Sequence, residues 1–140
     1  MTKTLKCKLE SPILVKAVSP DLDIVESVFT FQPILVDEIA DFVSQQSREQ
    51  VDGFLDLELD ILKNGMNNPI IIAANTEEAY QHGAINVHPE FLSPYDKSKR
   101  YICIFGNQRL AIAKRNHYDR IYSAMVPSPF WAITLQNHIT

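Results

Sequence analysis

Hydrophobic positions in this chain follow two rhythms: strand-length runs of consecutive apolar residues, and stripes spaced three and four residues apart. Ser11 to Val18 is apolar, rich in β-branched residues and closed by Ser19-Pro20-Asp21, which predicts a strand ending in a turn. Val28 to Val36 reads as a second extended piece, and Pro33, with no N–H for a ladder, places it at a sheet edge or splits it. Asp37 suits the N-cap of a helix whose apolar positions are Ile39, Phe42 and Val43. The spacing lapses at Ser44-Gln45-Gln46. Ser47 and Gln50 then form a capping-box pattern, and Val51, Phe54, Leu55, Leu59 and Leu62 carry an apolar stripe to Asn64-Gly65. Two helices, or one bent helix, are predicted over residues 37–64.

Pro69 to Ala74 is almost wholly apolar and follows a Gly-x-x-x-Pro break, the pattern of a strand covered on both faces. Residues 75–99 hold no sustained period and contain Gly83, Pro89 and Pro94, so an irregular insertion is expected there. Tyr101 to Phe105 predicts a short strand stopped at Gly106. Its alternation puts Tyr101, Cys103 and Phe105 on one face, toward the core. Leu110, Ile112 and Ala113 predict a helix from Asn107 to about Asn116-His117, and Ile121 to Val126 a closing strand, with residues 127–140 as a tail. Strand, glycine turn, helix and strand in that order imply an α/β (α+β) layer, and no repeat or linker divides residues 1–140, so one domain is expected.

Composition narrows the function classes. No apolar stretch nears the roughly 20 residues of a spanning helix, and no apolar h-region follows the basic N-terminus, so a cytoplasmic protein without membrane contact is expected. Cys7 and Cys103 are far apart and outside any C-x-x-C pair, which predicts reduced thiols. His82, His88, His117 and His138 show no ligand spacing, so no metal site is expected, and Asp56, Glu58 and Asp60 read as a solvated acidic face. The net charge of −4 hides an asymmetry: residues 1–96 carry 6 Lys/Arg against 16 Asp/Glu, whereas residues 97–120 carry 7 Lys/Arg and one acid. An anion site belongs in that second segment.

The turn Phe105-Gly106-Asn107-Gln108-Arg109 lies in it, where a strand hands over to a helix. The first N–H groups of a helix lack internal partners and the dipole makes that end positive. Gly106 lets the backbone approach a phosphate closely, and Arg109 can add a guanidinium fork. Lys97, Lys99 and Arg100, just before the strand, are candidates to extend the same site or to remain a solubilising loop.

Three segments in order carry a resemblance: Leu59 to Ile71 with Gly65-Met66-Asn67-Asn68-Pro69-Ile70, Tyr101 to Ala113 with Gly106-Asn107-Gln108-Arg109, and His117 to Ile121. Together they resemble the ParB-like N-terminal domain of the ParB/sulfiredoxin fold over about residues 55–126, with 75–99 as an insertion. The resemblance implies a small mixed sheet with packed helices that binds a nucleoside triphosphate with Mg²⁺. Its phosphate-binding residues would be Gly106, Asn107, Gln108 and Arg109, with Asn68 opposite. Leu110 stands where ParB proteins usually have a second arginine, and Asn107 and Gln108 stand where sulfiredoxins carry their catalytic cysteine, so sulfinic acid reduction is not expected.

A nucleotide- or phosphate-binding unit, of the stand-alone kind frequent in phages and mobile elements, is therefore the leading expectation. Turnover would mean phosphate hydrolysis or phosphoryl transfer, for which no motif places a catalytic residue. The competing expectation is an interaction module without turnover, for example a regulator or inhibitor of a host protein, that works through the acidic N-terminal half and the aromatic tail around Phe130-Trp131. No helix-turn-helix follows the last strand, so only weak, non-specific nucleic-acid binding is expected.

Overall fold

The structure is a computed structural model, and it describes residues 3–9, 12–18, 24–43, 51–85 and 87–126. Eight strands are formed among them: β1 (Thr4–Leu5), β2 (Ile13–Val18), β3 (Ile24–Phe29), β4 (Phe31–Leu35), β5 (Ile39–Ala40), β6 (Ile70–Ala74), β7 (Tyr101–Phe105) and β8 (Arg120–Met125). Three helices accompany them: α1 (Phe54–Asn64), α2 (Glu77–Ala84) and α3 (Asn107–Arg115). The class is α+β.

Six strands make one mixed sheet. Strand β8 pairs antiparallel with β4 on one side and parallel with β1 and β6 on the other, β6 pairs antiparallel with β7, and β7 parallel with β5. Strands β4 and β5 stand at opposite edges, yet only the 3-10 turn Val36–Glu38 joins them, so the sheet curls to bring its edges within reach. Pro33 lies in β4, where its missing N–H breaks no ladder on the open side. Strands β2 and β3 pair with each other from Ile13↔Phe29 to Val18↔Ile24 as a separate hairpin.

Helices α1 and α3 cover one face. Phe54 and Ile61 from α1 and Leu110 to Ala113 from α3 pack with Ile70, Ile72, Cys103 and Ile121. Helix α2 and the segment Phe42-Val43 cover the other, with Ala79 and Tyr80 against Ile71, Ala73, Ile102 and Ala124. Burying an aliphatic side chain such as Leu110 or Ile112 contributes about 1.5–3 kcal/mol, so these two layers hold the sheet. Strand β6 is central and covered on both faces, which its unbroken apolar run required.

Several expectations are corrected. Asp37 caps no α-helix: Val36–Glu38 is a 3-10 turn, and Ile39-Ala40 pairs with Tyr101-Ile102 as β5. The β-branched Ile39 beside a free strand edge is better used in the ladder than in a short helix. The capping-box pair Ser47 and Gln50 lies outside the described residues, as does the tail. The insertion 75–99 contains α2, started by Thr76, whose Oγ1 accepts the Ala79 N–H at 3.1 Å. In α1 the predicted stripe is split: Phe54 faces the core as expected, joined there by Glu58 and Ile61, whereas Leu55, Leu59 and Leu62 face solvent.

The alternation of β7 breaks as well. Ile72 pairs with Cys103 but Ile71 with Phe105, so Ile104 is an extra, bulged residue. Tyr101 and Cys103 keep to the α1/α3 face, whereas Phe105 packs with the opposite cluster.

Candidate functional site

Residues from three places meet at the start of α3. Leu57, Asp60 and Ile61 of α1, Asn67 and Asn68 of the connector to β6, and the run Phe105 to Arg109 line a cleft of about 500 Å³. The short Gly65-to-Pro69 connector makes this meeting possible, because it returns the chain from α1 directly into β6, the neighbour of β7. All five residues nominated from the motif, Asn68, Gly106, Asn107, Gln108 and Arg109, lie together in this lining.

Gly106 is the N-cap of α3 at φ +101°, a left-handed conformation that L side chains rarely adopt. A Cβ there would fall 2.6 Å from the Arg109 Nη2 and 2.8 Å from the Ile70 Cγ2. The glycine is thus required by both conformation and space. Because it brings no side-chain acceptor, the first turn of α3 has no side-chain cap, and the positive end of the helix faces the cleft.

Arg109 folds back under this turn. Its Nη1 donates to the Asn68 carbonyl at 2.7 Å and the Pro69 carbonyl at 3.0 Å, and the guanidinium lies 5.5 Å from the Phe105 ring centroid. The Phe105 ring directly follows the bulge at Ile104 and lies within cation–π range of the guanidinium. Burial pulls the Arg109 guanidinium below its ordinary pKa, a pull opposed only by the negative charge that Cys103 and Cys7 would carry if deprotonated. Among the described residues no carboxylate pairs with it. A cation partly withdrawn from water, with no carboxylate beside it among the described residues, favours an anion brought by a ligand.

Asn107 adds a second sign of incompleteness. Its Oδ1 is buried and has no hydrogen-bond partner. A half-turn of the amide exchanges oxygen for nitrogen, so the same position can donate to a ligand oxygen.

The basic residues before β7 are elsewhere. Lys97 and Lys99 line a different cleft with Lys114, Asp41 and Asp96. The Lys99 Nζ donates to the Asp37 carbonyl at 2.7 Å, and Arg100 approaches Glu38 at 4.0 Å. They flank the start of β7, whereas the candidate site is at its other end, so they do not extend it.

Sequence reasoning missed the walls. Leu57, Ile61 and Phe105 give the cleft an apolar side, and Asp60 is the one carboxylate among the described residues that line it. Asp60 accepts from the Asn64 Nδ2 at 2.8 Å, and Lys8 donates to the Asn67 Oδ1 at 3.0 Å at the rim. No motif announces Lys8; its place follows from the bridge between Cys7 and Met66.

The thiols offer no redox centre of the kind considered above. Neither is in a disulfide, Cys103 is fully buried, and burial raises the pKa of Cys7, which keeps it a thiol at neutral pH. Among the described residues, no group of three or more His, Cys, Asp or Glu is placed to hold a metal, and no helix is long and apolar enough to cross a membrane. The chain matches no family of known proteins, and no curated protein is similar to it.

Proposed function

We propose that the cleft binds a phosphate-bearing ligand of nucleotide size, with its phosphates against the start of α3. The observation that carries this reading is the partly buried Arg109 guanidinium, with no carboxylate partner among the described residues, beneath an uncapped helix N-terminus. Phosphate oxygens would take the N–H groups of Asn107 and Gln108, the Asn107 amide and the guanidinium hydrogens that Nη1 leaves free. The volume lies in the roughly 300–1,000 Å³ range of small-molecule sites. Leu57, Ile61 and Phe105 offer an apolar wall for a ring.

A Mg²⁺ carried by a nucleotide fits this donor set. Such an ion keeps most of its waters and takes one or two carboxylates besides the phosphates, and Asp60 is placed to be one. When bound, the ion would neutralise phosphate charge. The chain's own residues in the cleft bind and orient the ligand. Phage or mobile-element origin stays part of this proposal only through the motif resemblance.

Calorimetric titration with pyrophosphate and with the four ribonucleoside triphosphates, each with and without Mg²⁺, tests it. Binding is expected for pyrophosphate and at least one triphosphate, and is lost in Gly106→Val, whose side chain would collide with the Arg109 guanidinium and Ile70 and displace the fork from the cleft. No binding of any of these by the wild-type protein overturns the reading.

A further inference from the structure

Helix α1 has two apolar stripes and buries one. Phe54, Ile61 and Glu58 turn inward, with Glu58 accepting from the Asn116 Nδ2 at 3.0 Å and paired to Arg115 at 3.2 Å. Leu55, Leu59 and Leu62 remain 59%, 66% and 41% exposed. At about 100° per residue, these leucines share one narrow flank of α1, opposite the flank whose Leu57, Asp60 and Ile61 line the cleft. Val51, just before the helix, is exposed too.

Two features say what covers such a stripe. Its spacing of four then three residues is that of a helix–helix seam, which takes the apolar face of another helix. Its outer border carries the exposed Asp52 and Asp56 with Lys63 as the one cation among the described residues, while the inner border is the Glu58–Arg115 pair. The whole stretch 1–96 has 16 acids against 6 bases. A second copy would therefore bring like charges together, and a basic partner would not.

We propose that the Leu55-Leu59-Leu62 flank of α1 is a docking surface for a partner protein that presents an amphipathic helix with basic borders. The surface does not rest on the phosphate reading, since it is on the flank of α1 away from the cleft. It can be occupied while the cleft is full.

The test uses the full chain and a labelled synthetic three-heptad peptide with leucine at the seam positions and lysine beside them, against a twin with glutamate for lysine. Fluorescence anisotropy should show the lysine peptide binding saturably and at least about tenfold tighter than the twin. The double variant Leu55→Glu/Leu59→Glu should lose at least about tenfold in affinity with an unchanged melting curve and unchanged pyrophosphate binding. That last readout keeps failure here distinct from failure of the cleft. Asp52→Lys/Asp56→Lys should reverse the preference toward the glutamate twin. Equal binding of both peptides, or an unaffected leucine variant, overturns the proposal. So does a concentration-dependent dimer in sedimentation that the leucine variant dissociates, because the second copy is then the occupant.

Discussion

Arg109 holds two jobs that pull on the same atoms. Its Nη1 ties the first turn of α3 to the carbonyls of Asn68 and Pro69, and the rest of its fork faces the cleft. Arg109→Ala is expected to lower unfolding free energy by about 1.5–3 kcal/mol, the range for hydrogen bonds to a charged group, and to abolish pyrophosphate binding. Arg109→Lys keeps the charge but cannot span both carbonyls while lying flat on Phe105, so it should recover part of the stability and little of the affinity. Urea titration beside calorimetry reads both effects, and full stability in the alanine variant would show that the two carbonyl bonds are not formed in solution. That Gly106 and Arg109 belong to one site was legible as a four-residue motif. That Arg109 is also a strut was not, since its acceptors lie about forty residues earlier in the chain.

Among the elements, α1 shows where periodicity stops being informative. Leu55, Leu59 and Leu62 form one helical stripe and Phe54, Glu58 and Ile61 another, and the wholly apolar stripe is the exposed one. Phe54 is fully buried in the core, and Arg115 on α3 with its C-cap Asn116 answers the carboxylate of Glu58, so the poorer stripe wins by its neighbours. Helix α2 was hidden by Gly83, which reads as a breaker within an irregular segment. In the fold that glycine is a space: a Cβ on it would overlap the buried Phe42 ring. Replacing a helical glycine by alanine ordinarily gains up to about 1 kcal/mol, but Gly83→Ala, in the last turn of α2, is expected to destabilise by about 1–3 kcal/mol through overpacking. Thermal unfolding decides between the signs, and pairing it with Phe42→Leu should restore most of the loss.

At the scale of the molecule, the basic segment 97–120 does not make a basic face. Lys97, Lys99 and Lys114 share a cleft with Asp41 and Asp96, Arg115 is paired with Glu58, Arg100 approaches Glu38, and Arg109 points inward. The phosphate-backbone contribution to nucleic-acid binding scales with the number of cations that reach the backbone together. Mobility shifts on random duplexes should therefore show weak, sequence-indifferent complexes that disappear near physiological salt. A complex that survives there and discriminates between sequences would mean that these cations act as one surface.

The chain's own pattern determined the α+β class, strands β2, β6, β7 and β8, helix α3 and the glycine turn before it. Those features depend on contiguous residues, so propensity and period suffice to specify them. The tertiary structure decided the rest. Whether Ile39-Ala40 turns into a helix or joins β7 depends on an edge supplied some sixty residues later. Which face of α1 is buried depends on α3, and which way Phe105 points depends on a register slip against β6. The cleft itself needs α1, the connector and α3 to converge, and convergence across the sequence is settled by packing, which no local pattern encodes.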